Sequence, residues 1–331
     1  MITYVFRKRA PTVFSIEKLF DALYTHLEKS GEDIRLLELP HISSGIVSVL
    51  RNAWFVARQR NKGTLHITGD VHYAGMLCPF TRTIVTIHDC VVLQRGTGLK
   101  RVALWILWFW LPVRLASVVT VISEQTKREV LETVTVPDSK IVVIPNFVDS
   151  DLTFKPRAFA DDRPRILHVG TTPNKNLERV VAALRDVPCT LVIVGRISPA
   201  LLTALEAGCV NYENFIGLGH AQLRDLYWSS DVISFPSTYE GFGMPILEGQ
   251  VAGRPVLTSN REPMRSIAGR GGAVLVDPES VGSIREGFLA LMSDDRLRAR
   301  LVVAGGNNCR RFTLEAVAAG YLALYRQVDA H

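Results

Sequence analysis

The chain has 331 residues, 47% hydrophobic and 21% charged, the balance of a folded protein with sizeable cores rather than a disordered one, at a length suited to two domains. Its net charge of +6 is small and reads as spread along the chain, which favours anionic partners such as nucleotide phosphates or acidic lipid and argues against nucleic acid. The five cysteines, at positions 78, 90, 189, 209 and 309, are odd in number and form no C-x-x-C pair, which argues against a disulfide framework or a zinc site and predicts small buried hydrophobes in a cytoplasmic protein.

The first predicted element is a strand over Ile2 to Phe6. Arg7, Lys8 and Arg9 follow without a long apolar run, so no signal peptide is expected. Ser15 to Lys29 carries apolar residues at Ile16, Leu19, Phe20, Leu23 and Leu27, a helical spacing. Strands are predicted over Leu65 to Thr68, Thr83 to Ile87, Ser117 to Ile122 and Lys140 to Ile144, with Ser123 capping a helix that runs to about Glu132. Lys100 to Arg114, rich in tryptophan, is too short to span a membrane and is interrupted by Pro112. It reads as a buried helix with Trp105, Trp108 and Phe109 on its core face, or as an interfacial helix making a peripheral membrane contact through residues 100–114.

Between Asp149 and Pro164 the periodicity lapses, marking a linker at 151–164. The strand–helix alternation then resumes: strands at Arg165 to Val169, Thr190 to Val194, Val210 to Ile216, Asp231 to Phe235, Pro255 to Thr258 and Gly272 to Val276 are interleaved with helices at Asn176 to Leu184, Pro199 to Ala207, Leu223 to Ser229 and Pro245 to Ala252. Helices over Val281 to Ser293, Asp295 to Phe312 and Leu314 to Val328 follow. Short β-branched strands alternating with helices predict an α/β chain of two doubly wound, Rossmann-like domains, 1–150 and 165–312, with a C-terminal helix at 313–331 packing back toward the first. Ligands in such folds sit at the carboxyl ends of the strands.

The strongest local signal is Glu240-Gly241-Phe242-Gly243-Met244-Pro245-Ile246-Leu247-Glu248, directly after a predicted strand. Gly241 and Gly243 permit close backbone approach to a ligand, and Pro245 suits the first position of a helix whose unpaired amides and dipole favour a diphosphate. Glu240 precedes that helix, within reach of a sugar hydroxyl, and Glu248 is placed on its first turn, within reach of a ribose.

This segment resembles the two-glutamate signature of the family 4 retaining glycosyltransferases. Ile87-His88-Asp89, Val121 to Lys127, Val143 to Asn146 and Val169 to Leu177 are similar, in order and spacing, to other motifs of the same family. The resemblance covers nearly the whole chain and implies the GT-B fold, with the two domains facing an interdomain cleft that closes about the linker. It implies a nucleotide-sugar donor in which Lys175, with the backbone of Gly170 and Thr171, holds the phosphates. His88, Glu240 and the amides of Gly241 and Phe242 contact the sugar, and no metal is required. Asp89 orients His88 or caps the next turn. His66, Asp70 and His72 have the residue types of metal ligands but not the spacing.

Two positions depart from the family pattern. Thr171 and Asn174 stand where many relatives place an arginine, and Arg196 is the candidate replacement. The implied reaction is hexose transfer with retention from a GDP- or UDP-sugar, GDP-mannose being preferred, to a glycan or lipid-linked acceptor in bacterial surface polysaccharide assembly such as O-antigen, in the cytoplasm or on the inner face of the membrane. The alternatives are a nucleotide-sugar epimerase of the same fold and a non-catalytic donor-binding scaffold.

Overall fold

The structure is a computed structural model that describes residues 1–8, 15–59, 63–78, 82–91 and 97–330, with the side chains of Ser15 and Ile16 outside that description along with Arg9. The chain divides into two compact units: residues 1–147 with 314–331, and residues 148–313.

Unit 1 is built on a parallel sheet whose described strands are β1 (Ile2–Phe6), β2 (Ile34–Glu38), β3 (Thr64–Ile67), β4 (Thr83–Ile87), β5 (Val118–Val121) and β6 (Ile141–Val143), in the order β2-β1-β3-β4-β5-β6. Alternate residues serve opposite faces. Val5, Leu65, Ile67, Val85, Ile87, Val119 and Val121 point to a core shared with α2 (Ile46–Gln59), the 98–115 segment and α5 (Glu124–Thr133). Tyr4, Phe6 and Ile84 point the other way, to α1 (Ser15–Lys29) and α13 (Leu314–Ala330). That second layer contains a buried polar chain. Tyr4 Oη lies 2.9 Å from Tyr325 Oη, which lies 2.7 Å from His66 Nδ1; His66 Nε2 lies 2.7 Å from Thr86 Oγ1, and Thr86 lies 2.7 Å from Thr120 Oγ1. Each buried hydroxyl and ring nitrogen thus has a partner, and α13 is joined to four of the strands.

Three sequence expectations change in unit 1. β2 and α2 were not anticipated, because β2 mixes Arg35 and Glu38 with its leucines and is an edge strand. The 100–114 segment is not one helix: α3 (Gly98–Trp105) runs into a π-helical stretch (Ile106–Trp110) and then α4 (Leu111–Leu115). Trp108 and Phe109 are buried, Trp105 only partly so, and Leu99, Val102 and Ile106 face outward. Among the cysteines, Cys78, Cys189 and Cys309 are buried, but Cys90 is half-buried and Cys209 is exposed, at a φ of +48° in the turn that precedes a strand.

Unit 2 contains strands β7 (Arg165–Val169), β8 (Thr190–Val194), β9 (Tyr212–Phe215), β10 (Val232–Phe235), β11 (Val256–Ser259) and β12 (Val274–Val276), all parallel, in the order β12-β11-β10-β7-β8-β9. Helices α6 (Leu177–Ala183), α7 (Pro199–Ala207) and α11 (Val281–Ser293) pack on Ile166, Leu191, Ile193 and Val232. The remaining helices include α8 (His220–Ser229), α9 (Met244–Val251), α10 (Met264–Ala268), which was not anticipated, and α12 (Asp295–Cys309), which gives way to a 3-10 turn at Arg310–Phe312. Residues 151–164, expected as a linker, hydrogen-bond to this unit. Arg157 Nε donates to Asp231 at 2.8 Å, Trp228 Nε1 donates to the Thr153 carbonyl at 2.9 Å, and Arg254 donates to the Lys155 carbonyl at 2.9 Å. Low periodicity hid these contacts because they are polar and made chiefly to the backbone.

Candidate active site

In unit 2 the strands to either side of the β7–β10 pair are reached in opposite directions: β8 and β9 lie beyond β7, β11 and β12 beyond β10. The carboxyl ends of β7 and β10 therefore flank the point at which the sheet order reverses, where open α/β sheets hold their ligands. Residues 170–176 leave β7, residues 236–243 leave β10, and hydrogen bonds join the two loops. Thr238 N donates to the Asn174 carbonyl at 2.8 Å. Asn174 Nδ2 donates to the Tyr239 carbonyl at 3.1 Å and Glu240 Oε1 at 3.3 Å. Buried Asn176, at a φ of +64°, donates to the carbonyls of Pro236 at 2.9 Å and Pro278 at 2.6 Å. Asparagine tolerates that left-handed conformation better than most residues.

Lys175 is held at the centre. Its Nζ donates to Glu240 Oε1 at 2.7 Å and lies 4.8 Å over the Phe235 ring. The lysine stem folds back along the loop because position 170 is glycine: φ there is +98°, and a Cβ would come within 2.9 Å of Lys175 Cγ. Beneath it, His168 on β7 is fully buried, with Nδ1 3.2 Å from Ser234 Oγ on β10. Burial, with a further push from the Lys175 ammonium, lowers its pKa to about 3, so the ring is neutral.

Glu240 and Lys175, assigned from sequence to sugar and phosphate respectively, are thus an ion pair, largely shielded from solvent. Gly243 is the N-cap of α9 with φ +115°, and the helix starts at Met244. Pro245 is its second residue rather than its first, and Glu248 its fifth, one residue further along than expected and just past the first turn. Glu248 Oε2 accepts a 2.5 Å hydrogen bond from Tyr227 Oη at the end of α8. Tyr227 is buried, and burial together with the Glu248 carboxylate raises its pKa, so the hydroxyl stays protonated and remains a donor. Phe242 is buried edge-on against Phe312, ring centroids 5.9 Å apart, so only its backbone can face a ligand. Gly241 is half-buried. Thr171 packs against Gly195, and Arg196, next along, is exposed. The sequence reading overlooked Asn176, His168 and Tyr227. A positive-φ asparagine beside the lysine was the available sign for the first, whereas nothing local marks the other two.

In unit 1 the sheet order reverses between β1 and β3. Arg7 leaves β1 and donates to Glu17 and, at 3.2 Å, to Asp70 Oδ1. His88 leaves β4; its Nε2 donates to the Thr68 carbonyl at 3.0 Å, which leaves Nδ1 as the acceptor of the neutral ring. Burial lowers the His88 pKa, with the Thr68 carbonyl opposing that shift. Asp89 Oδ1 accepts from Val91 N at 2.9 Å, so it caps the turn. His66 is committed to Tyr325 and Thr86, and His72 Nδ1 donates to the Trp108 carbonyl at 2.7 Å.

Residues 149–307 match the family model described as glycosyl transferases group 1, and residues 38–152 match that of glycosyltransferase family 4. The chain is 28% identical over 225 residues to an O-antigen chain mannosyltransferase B of Escherichia coli, covering 60% of this chain and 58% of that protein. It is 30% identical over 204 residues to a phosphatidyl-myo-inositol mannosyltransferase of Mycobacterium leprae, covering 57% and 54% respectively. The matches therefore span little more than half the length of these relatives. Among solved structures, the Anabaena HepE protein in complex with UDP and glucose superposes with a TM-score of 0.77 at 14% identity, covering 98% of this chain and 99% of the other. That likeness establishes a shared GT-B architecture.

Proposed function

The chain belongs to the group 1 glycosyltransferases, and from that premise we propose that it transfers a hexose, mannose in the first instance, from a nucleoside diphosphate sugar to a hydroxyl of a glycan or lipid-linked acceptor. The observation that carries this reading is the Lys175–Glu240 pair, 2.7 Å apart where the sheet order reverses. A cation and a carboxylate meet there beside the start of α9, so the three groups that a sugar diphosphate requires are adjacent.

In the proposed reaction Lys175 and the positive end of the α9 dipole stabilise the charge that grows on the diphosphate as the glycosidic bond breaks. Glu240 holds sugar hydroxyls, and Glu248, oriented by Tyr227, holds the ribose. From unit 1, the family resemblance assigns neutral His88 to the donor sugar. Transfer proceeds with retention, the departing phosphate taking the acceptor proton. Positive charge comes from the protein rather than from a metal. The similarity to two mannosyltransferases supports mannose, and with it GDP-mannose as donor.

A thermal-shift screen of the whole chain against UDP, GDP, dTDP and their sugars tests the reading, because a ligand that binds only the folded state raises apparent stability. GDP and GDP-mannose are expected to give the largest shifts. Absence of a shift with every nucleotide would remove the donor site, whereas a shift with UDP alone would redirect the choice of donor.

A further inference from the structure

Tyr227 reaches Glu248 only while the end of α8 is held against α9, and a single side chain does the holding. α8 stops at Ser230, so its last carbonyls lie beyond the reach of the helix's own amides. The Leu226 carbonyl accepts from Ser230 Oγ at 2.7 Å. The next two, of Tyr227 and Trp228, accept from one guanidinium: Arg254 Nε donates to the first at 3.2 Å and Arg254 Nη2 to the second at 2.9 Å. That places a cation at the negative end of the α8 dipole.

Arg254 is itself fixed to the end of α9. Its backbone amide donates to the Gly249 carbonyl at 2.8 Å, and Gly253 N donates to the Gln250 carbonyl at 3.1 Å, with Gly253 at a φ of +77°. Two such bonds around a left-handed glycine form a Schellman ending, which sets the direction in which the next side chain leaves the helix. Arg254 is buried, and its other hydrogen bonds go to the carbonyls of Gly253 at 3.3 Å and Lys155 at 2.9 Å. α8 and α9 are therefore joined twice through one residue. The Tyr227 carbonyl is held by Arg254, and the Tyr227 hydroxyl is bonded to Glu248 at 2.5 Å.

We propose that Arg254 is a positioning residue for the donor: its guanidinium sets the end of α8 so that Tyr227 holds Glu248 toward the ribose. The proposal rests on the ribose reading of Glu248. A hydrogen bond weakens steeply once its length and angle are disturbed, so the short Tyr227–Glu248 bond requires the two helices to keep a fixed separation. A planar fork of N–H donors can serve carbonyls of α8 and of residue 155 together, whereas an ammonium on a flexible stem keeps the charge but not that geometry. The end of α8 has a second anchor, since Trp228 Nε1 donates to the Thr153 carbonyl at 2.9 Å. Loss of the fork therefore releases the placement of Tyr227 rather than the whole helix.

The test is calorimetric titration of the whole chain with GDP and with 2′,3′-dideoxy-GDP, which lacks both ribose hydroxyls, with the uridine pair run alongside. Wild type is expected to prefer the hydroxyl-bearing nucleotide roughly tenfold or more. Arg254→Lys should lower the thermal midpoint and narrow that preference by about threefold or more. A merely structural role would weaken both nucleotides alike and leave the preference intact. With Tyr227→Phe already in place, Arg254→Lys should lower the midpoint again but narrow the preference no further, because the two residues act in series. The proposal is overturned if Arg254→Lys keeps the wild-type preference, or if it narrows the preference by the same factor in the Tyr227→Phe background. Should Arg254→Lys not fold, Arg254→Gln, which donates without leaving a bare charge in the interior, is judged by the same criteria. Glu248→Gln separates the two claims. A narrowed preference in that variant but not in Arg254→Lys removes the role of Arg254 alone, whereas no change in either removes the ribose reading and the proposal with it.

Discussion

Lys175 Nζ and Glu240 Oε1 are 2.7 Å apart, so the cation assigned to the diphosphate is already occupied by the carboxylate assigned to the sugar. A bare nucleoside diphosphate must compete with Glu240 for Lys175, whereas a sugar-bearing donor offers Glu240 hydroxyls in exchange. Glu240→Gln is therefore expected to bind nucleoside diphosphate several-fold more tightly by calorimetry, and to lose turnover by about a hundredfold or more. Unchanged diphosphate affinity in that variant would show that the pair does not oppose binding. Lys175→Ala should lose both diphosphate affinity and turnover.

Gly170 supports Lys175 sterically. Gly170→Ala places a Cβ against Lys175 Cγ at an unfavourable φ, and is expected to destabilise by about 1–3 kcal/mol and to lower donor affinity as well. Gly271→Ala, also at positive φ but with its nearest neighbour at 3.9 Å, should show the stability loss alone. Paired thermal melts and donor titrations separate the two effects.

Tyr227→Phe removes the hydroxyl that fixes Glu248 and leaves the ring in place. The expected result is a several-fold rise in donor KM with kcat little changed, because a group that binds the ribose equally in ground and transition states affects binding rather than chemistry. A drop in kcat with KM constant would instead place Glu248 at the reacting centre.

Buried histidines make stability depend on acid. His66 and His168 each have a folded pKa of about 3, lowered chiefly by burial from the ordinary 6.5. Below pH 6.5 the unfolded chain takes up protons that the folded protein does not, so stability is complete above that pH and declines as pH falls toward 3. Thermal midpoints measured between about pH 7 and pH 4 should fall steadily, and His168→Gln should flatten the slope. An identical slope in the variant would mean that His168 is charged or solvated in the folded state.

Much of this architecture could be read along the chain because parallel strands buried on both faces are continuous runs rich in β-branched residues, as in Leu191 to Ile193 and Val118 to Val121. The edge strand β2 and the outward side of α2 were not legible, since neither follows the pattern of a covered element. The glutamates, the lysine and their glycines were legible as a motif, but their pairing was not, because residues 65 positions apart meet only when β7 and β10 become neighbours. The helix start at Met244 shifted by one residue from Pro245, which was enough to move Glu248 off the first turn.

The placement of α13 has a consequence for how the protein is made. Residues 148–313 form an unbroken segment, whereas the first unit is completed by Tyr321, Tyr325 and Val328 from the far end of the chain. On the ribosome the N-terminal sheet emerges before α13, so its Tyr4 and His66 face is covered by α1 but stays incomplete until α13 has left the exit tunnel. The second unit can fold while the first still exposes aromatic surface, so the order of completion is the reverse of the order of synthesis.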